Sequence, residues 1–403
     1  MSAPPVAHAK LAIDGGTPVR KTLLPYGRHS LGEDDVEAVI EVLRSDWLTT
    51  GPKVSEFEEA FAARVGAKYA VSFSSGTAAL HGAVHAAGLS AGDEAITTPL
   101  SFVATANAVL YEQGRPVFAD IRADTLNLDP ERVAEKIGPR TKAILPVDYA
   151  GQPCDLGAFG ALAAQNGLVV IEDASHALGA TYSGREVGSV ADLTTFSFHP
   201  VKHVAAGEGG MVSTNHAKYA DSLRRFRNHG IDVDARQREA TGNWFYQVLE
   251  LGANYRLSDI ACALGLSQLR KLDSNLSRRR AIATRYTEAF EKIPSLRPLL
   301  IGDQVESVWH LYPVLLDLNR LAAGRAEIFR ALRAENIGVN VHYIPIHLHR
   351  YYVERFGGHR GEFPIAEDAY ERLISLPMFH AMTDGDVEDV IAATEKVMVA
   401  YAR

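Results

Sequence analysis

Between Tyr69 and Thr214, short runs rich in Val, Ile, Thr and Phe alternate with stretches rich in Ala and Leu. β-Branched and aromatic residues suit strands and Ala and Leu suit helices, so the alternation predicts βα units feeding a mostly parallel sheet. The expected strands are Tyr69–Phe73, Glu94–Thr98, Pro116–Asp120, Ala143–Val147, Leu168–Asp173, Thr194–Phe198 and Gly210–Thr214. Thr77–Ala87, Phe102–Tyr111, Pro130–Ile137 and Leu156–Asn166 are the expected helices between them. In such a sheet, ligands collect beyond the carboxyl ends of the strands, so the residues just after each strand matter most.

With 403 residues, 47% of them hydrophobic, the chain can bury more than one packed unit. After Asn254 the pattern changes to longer helices, Asp259–Leu272 and Asn275–Phe290, the latter carrying Arg278-Arg279-Arg280. That charge run is read as a solvated helix face. A strand at Leu311–Leu316, a helix near Ala326–Glu335, an extended Val339–Pro345 and a helix near Glu367–Ser375 follow. The expectation is an α/β chain with a large domain over residues 1–270 and a smaller C-terminal α/β domain over 271–403.

A formal charge of −8 gives no electrostatic footprint for nucleic acid or an anionic membrane. The first residues lack the apolar core of a secretory signal, and no stretch approaches the roughly 20 apolar residues that span a bilayer. A cytoplasmic protein acting on small molecules is expected. Cys154 and Cys262 read as small core residues with free thiols.

Three segments carry candidate chemistry. Ser74-Ser75-Gly76-Thr77-Ala78-Ala79-Leu80 joins a strand to a helix, where unpaired N–H groups can hold an anion or Ser and Thr can simply cap the helix. Neither a P-loop nor a Gly-x-Gly-x-x-Gly turn is present to offer another phosphate site. The strand Leu168–Asp173 ends in an acid that could hold the proton of a pyridine nitrogen or act as a cap or ion-pair partner. Finally, Lys202 lies just beyond Thr194–Phe198 and is followed by Gly207-Glu208-Gly209-Gly210. Desolvation there would lower its pKa and free the amine for Schiff-base formation, although a lone Lys is usually a surface charge.

Together these motifs, in this order, resemble pyridoxal-phosphate (PLP) enzymes of fold type I. The runs Ser197-Phe198-His199-Pro200-Val201-Lys202, Thr97-Thr98-Pro99-Leu100-Ser101-Phe102-Val103-Ala104-Thr105-Ala106-Asn107, Asp148-Tyr149-Ala150-Gly151 and Glu172-Asp173-Ala174-Ser175-His176 are similar to those of the DegT/StrS family of sugar-nucleotide aminotransferases. The likeness runs from about Leu24 to the C-terminus. Ser45–Pro52, Ser175–Gly179 and Asn340–Pro345 resemble the branch of pseudaminic acid biosynthesis, which aminates C4 of a UDP-linked 4-keto-6-deoxy N-acetylhexosamine. Leu11–Arg20 is more like other branches, which handle other dTDP- or GDP-linked keto sugars.

The resemblance implies that Lys202 is the Schiff-base lysine and Asp173 the partner of the pyridine nitrogen. It further implies that Gly76, Thr77 and Ser197 hold the phosphate, that Phe102 stacks on the ring and that His176 lies beside it. Asn254 would reach the cofactor phosphate of the other subunit of a homodimer with shared sites. Tyr26, Asp46, Trp47, Leu48, Thr49, Ser75, Asn254, Asn340, Val341, His342 and Tyr343 would meet the keto-sugar nucleotide, with glutamate as amino donor. The family's dehydratases carry His at the lysine position, so Lys202 argues against that chemistry, and the Lys202 and Asp173 pair argues against a non-catalytic sensor. His342, His347 and His349 read as a substrate-lining loop without a metal, and His310 as a residue packed at a domain seam.

Overall fold

The computed structural model describes residues 10–233, 238 and 240–403. Strands β1 (Tyr69–Phe73), β2 (Glu94–Thr97), β3 (Arg115–Phe118), β4 (Thr141–Leu145) and β5 (Val169–Asp173) are followed by a small hairpin, β6 (Thr181–Tyr182) and β7 (Arg185–Glu186). Next come β8 (Leu193–Ser197) and β9 (Gly210–Thr214), then β10 (Leu296–Pro298), β11 (Val305–Glu306), β12 (Tyr312–Leu316) and β13 (Leu373–Leu376).

Seven of these form the central sheet in the order β1-β9-β8-β5-β4-β2-β3. The run from β8 to β3 is parallel throughout, and β9 alone runs against both its neighbours, β1 and β8. The prediction of a mostly parallel sheet therefore holds, and each predicted strand lies within two residues of an observed one. Helices α1 (Glu33–Leu43), α2 (Pro52–Val65), α3 (Gly76–Ala86), α4 (Ala104–Tyr111), α5 (Pro130–Ala134), α6 (Leu156–Asn166) and α7 (Ala217–Phe226) accompany it. The C-terminal part contributes α8 (Asp259–Arg270), α9 (Leu272–Phe290), α10 (Arg325–Ala334), α11 (Arg350–Phe356), α12 (Pro364–Arg372) and α13 (Asp384–Ala400). Its three-stranded antiparallel sheet has the order β10-β12-β13.

Strand alternation divides the core. Ile171 of β5 is buried with α3 and α4, whereas Val170 is buried with Phe159 of α6 on the other face. Leu11 and Leu24 join a separate cluster built from α9, α10, α13 and the small sheet. They are tied there by Glu335, whose carboxylate accepts from the amides of Ala12 and Val19 and pairs with buried Lys396 at 2.8 Å.

Two expectations change. Arg279 is 1% exposed and donates to the carbonyls of Trp309, His310 and Met378, so the middle arginine of the run faces inward while Arg278 meets Asp384. A helix surface repeats every 3.6 residues, so three neighbouring arginines cannot share one solvated face. The helix expected near Glu367–Ser375 stops at Arg372, and Leu373–Leu376 pairs with β12 instead. Cys154 and Cys262 are buried free thiols, and no helix among the described residues is long and apolar enough to cross a membrane.

Candidate active site

Alternation in β8 separates its packing face from its functional face. Phe196 and Phe198 pack tilted or edge-on against Phe57 and Phe61 of α2 with centroid separations of 5.0, 5.2 and 5.7 Å. Burying each ring contributes roughly 1.5–3 kcal/mol, which anchors the strand. Ser197 points the other way, towards the start of α3. A Cβ at Gly76 would come 2.8 Å from Ser197 Cβ, and one at Gly210 would come 2.4 Å from the Ser75 carbonyl oxygen. Only glycine allows these approaches.

Ser75 caps α3, its hydroxyl accepting from the Ala78 amide at 3.1 Å. The capping alternative is thus realised at Ser75. The amides of Gly76 and Thr77 lie in the first turn, where no carbonyl of the helix can accept from them. With the helix dipole and the nearby Ser197 hydroxyl, they offer donors suited to an anion.

Asp173 ends β5 on the α4 side and is 5% exposed. Its Oδ2 accepts from Thr105 Oγ1 at 2.7 Å and its Oδ1 from the Ser175 amide at 3.1 Å. Lys202 sits in the turn after β8, its amide donating to the His199 carbonyl at 2.8 Å. The side chain keeps some accessible surface, but the protein around it withdraws enough solvent to lower its pKa to about 8, against the pull of the Asp173 charge. A neutral amine is therefore readily available.

Neutral rings line the space beside Lys202. His176 Nε2 lies 3.2 Å from Tyr343 Oη, and its ring packs at 4.3 Å on His310, which in turn neighbours His203 at 5.5 Å. Burial, first, and then the charge of Lys202 or His176 hold the pKa of His176 and His310 well below the usual imidazole value. His342 is held to about 4 for the same first reason, and its Nδ1 meets Ser375 Oγ at 2.9 Å. Asn340 Nδ2 lies 3.3 Å from His342 Nε2, while Asn340 Oδ1 accepts from the Val341 amide. Tyr26 packs its ring 5.3 Å from His342, and Phe102, 58% exposed, lies 6.2 Å from Tyr343.

Not every expected residue joins this group. Asp46, Trp47, Leu48 and Thr49 are exposed and lean on the start of α8, where the Leu48 carbonyl accepts from the Asp259 amide and Thr49 bridges Ser258. Asn254 is exposed, bridges Asn228 through its backbone, and makes no side-chain hydrogen bond to Asp173, Ser197 or Lys202. His347 turns away from His342 to meet Glu367 at 3.1 Å. Sequence reasoning does not single out Thr105 or His310 as site residues. A hydroxyl seven residues after the strand Glu94–Thr98 is the only hint of Thr105. His310 is buried and packs on His176 and beside His203.

This arrangement fits the PLP that the resemblance implies. An unpaired helix start with a close Ser197 suits its phosphate, a buried hydrogen-bonded carboxylate suits its ring nitrogen, and a desolvated amine suits its aldehyde.

Comparison with known proteins agrees. A family model described as the DegT/DnrJ/EryC1/StrS aminotransferase family matches residues 29–395. The spore coat polysaccharide biosynthesis protein SpsC of Bacillus subtilis is 44% identical over 94% of this chain and 98% of its own. PseC of Helicobacter pylori, an aminotransferase involved in the biosynthesis of pseudoaminic acid, is 35% identical with a TM-score of 0.87, covering 94% of this chain and all of the other. The PLP form of Spr1654 from Streptococcus pneumoniae, a putative sugar aminotransferase in its own description, is 30% identical with a TM-score of 0.86, covering 93% and 99%. A site assembled at the strand ends and a match along nearly the whole length have one reading: the chain belongs to the DegT/DnrJ/EryC1/StrS aminotransferase family and is a PLP-dependent sugar aminotransferase.

Proposed function

We propose that the enzyme moves an amino group from glutamate to C4 of a UDP-linked 4-keto-6-deoxy N-acetylhexosamine, working as a cytoplasmic homodimer with shared sites. The observation that carries the reading is the convergence of Lys202, Asp173 and the α3 start with the Tyr26, His176, His342 and Tyr343 rings.

When bound, PLP supplies an electrophilic carbon and an electron-withdrawing ring. Lys202 would hold it and, once released, move a proton between the donor or sugar carbon and the cofactor carbon. A pKa of about 8 leaves this amine able to take a proton and return it near neutral pH. Asp173, held by Thr105 and the Ser175 amide, would keep a proton on the ring nitrogen. Gly76, Thr77 and Ser197 would bind the phosphate. Phe102 and His176 would cover the ring faces, His176 adding no competing positive charge because burial keeps it neutral.

Tyr26, Ser75 and Asn340 to Tyr343 offer aromatic, amide and hydroxyl groups suited to a sugar ring and a nucleotide. Asp46 to Thr49 and Asn254 face outward on the single chain, which suits residues that complete a site in the dimer. Beside Asn254 the chain exposes Trp244 (83%), Leu251 (91%), Val248 and Leu249, an apolar surface that a second copy would cover. The test is to mix PLP-loaded enzyme with glutamate and UDP-, dTDP- or GDP-linked keto sugars and read product mass and the aminated carbon. Amination of the UDP-linked 4-keto sugar is expected; exclusive use of another nucleotide or another ring carbon overturns the assignment.

A further inference from the structure

Glu172 and Asp148 are both 0% exposed and lie outside the site just described. Glu172 precedes Asp173 on β5, and strand alternation sends its side chain to the opposite face of the sheet. Asp148 follows the end of β4, and its amide donates to the Asp173 carbonyl at 3.1 Å. One oxygen of each carboxyl has an ordinary partner. Asp148 Oδ1 accepts from the Cys154 amide at 2.9 Å, and Glu172 Oε2 accepts from Thr194 Oγ1 at 2.8 Å. The other two, Asp148 Oδ2 and Glu172 Oε1, are buried without a hydrogen-bond partner, and the two carboxyls act on each other and on Cys154. Two carboxylates offer only acceptors, so these two oxygens can satisfy each other only with a proton between them.

We propose that Asp148 and Glu172 are positioning residues for amino transfer: they share a proton in a buried hydrogen bond and thereby hold the strand end that presents Asp173. The role rests on the reading that Asp173 serves the cofactor ring. The bond ties β5 to the segment after β4 on one face, while Thr105 holds Asp173 on the other. Asp173 and Cys154 are the titratable neighbours that act on the pair, and no Lys, Arg or His among the described residues hydrogen-bonds or ion-pairs with it. Burial pushes both carboxyls up, Glu172 to about 7 and Asp148 well above its usual range, the latter aided by the Glu172 charge. Because these folded-state values are raised, the stabilisation is fully present at pH values below the usual carboxyl range. It is lost as pH rises through neutrality and above, when the proton leaves and unpaired charges face each other.

Infrared spectroscopy of the cofactor-free protein tests the proton directly. A protonated carboxyl band is expected at neutral pH, weakened in Asp148→Asn, whose amide can still accept from Cys154 and donate to Glu172. Thermal midpoints should fall with rising pH in the parent and change less in D148N. In the PLP-loaded enzyme, Asp148→Ala should lower kcat about tenfold with little change in KM, and D148N should restore it to within about threefold. If D148A does not fold, Glu172→Gln serves in its place: its amide can donate to Asp148 while accepting from Thr194, and kcat should stay within about threefold of the parent. A missing acid band, an amide variant as impaired as the alanine variant, or an unchanged kcat in D148A overturns the proposal. The rate of Asp173→Asn, measured alongside, shows separately whether the reading of Asp173 is at fault.

Discussion

The strand-end half of the site and the segment from Asn228 to Asn254 are built on different principles. Asp173 and Ser197 stand on sheet strands whose neighbours are buried, and each is placed by backbone pairing and close packing. The described part of the Asn228–Asn254 segment instead exposes Trp244, Phe245 and Leu251 and is held by two isolated backbone bridges, Asn228 to Asn254 and Ile231 to Val248, and by a few side chains. His85 Nδ1 meets Glu112 at 3.2 Å, His85 Nε2 meets Glu250 at 3.6 Å, and the His85 ring stacks on Phe226 at 4.1 Å. Groups that must be in place before substrate arrives sit on rigid elements, while groups suited to meeting a second copy sit on an outward segment.

The largest effect should come from Lys202→Ala, which is expected to abolish turnover with the fold intact, since this side chain makes no hydrogen bond in the core. Borohydride reduction followed by peptide mapping should place the cofactor on Lys202 in the parent protein. A label on another lysine would falsify the assignment of the rigid half. Next, Asp173→Asn should retain PLP but lose on the order of 100-fold or more in kcat, because an amide cannot hold the ring proton and such charge-assisted contacts are worth a few kcal/mol.

The outward segment is tested by complementation. Lys202→Ala and an inactive Asn254 variant, mixed under conditions that exchange subunits, should regain about one competent site per mixed dimer. No recovery despite proven exchange would mean that both halves of the site belong to one chain. Smaller still, Tyr343→Phe removes the hydrogen bond to His176 and should cost about 1 kcal/mol, seen as a several-fold rise in KM.

The smallest effect concerns pH. Despite burial, Glu112 and Glu250 raise the pKa of His85, so its stabilising contribution is complete below the unfolded value and fades as pH climbs through the folded one. Glu112, held at about 2 by His81 and His85 despite burial, contributes above the usual Glu value and loses that contribution as pH falls towards 2. The network is therefore strongest between roughly pH 4.5 and 6.5, the unfolded-state values of Glu and His. Glu112→Gln should flatten the dependence of thermal stability on pH across the rise above that window. An unchanged pH profile would mean that the network does not hold the segment.

Much of this is legible in one dimension. The strands around Asp173 and Lys202 stand out because β-branched runs bounded by Gly, Asp and Ser leave few alternatives, and Tyr69–Phe73, Leu156–Asn166 and Gly210–Thr214 match residue for residue. The buried Arg279 is hidden because its neighbours Arg278 and Arg280 share its charge, and only the carbonyls of Trp309, His310 and Met378 distinguish it. Thr105 escapes notice because a hydroxyl in a helix usually bonds its own turn, whereas this one reaches Asp173 across the core.

By itself, then, the order of residues determined the parallel sheet, the cap or anion segment at the start of α3 and the candidate acid and lysine, because these depend on local propensity and on the residue types at each strand end. The tertiary structure alone decided that Glu172 and Asp148 are both buried with an unpaired oxygen each, that His310 packs on His176, and that Asn254 and Asp46 to Thr49 face outward. Those relations join residues far apart in the chain, and their energies depend on the burial and distances created when the chain closes on itself.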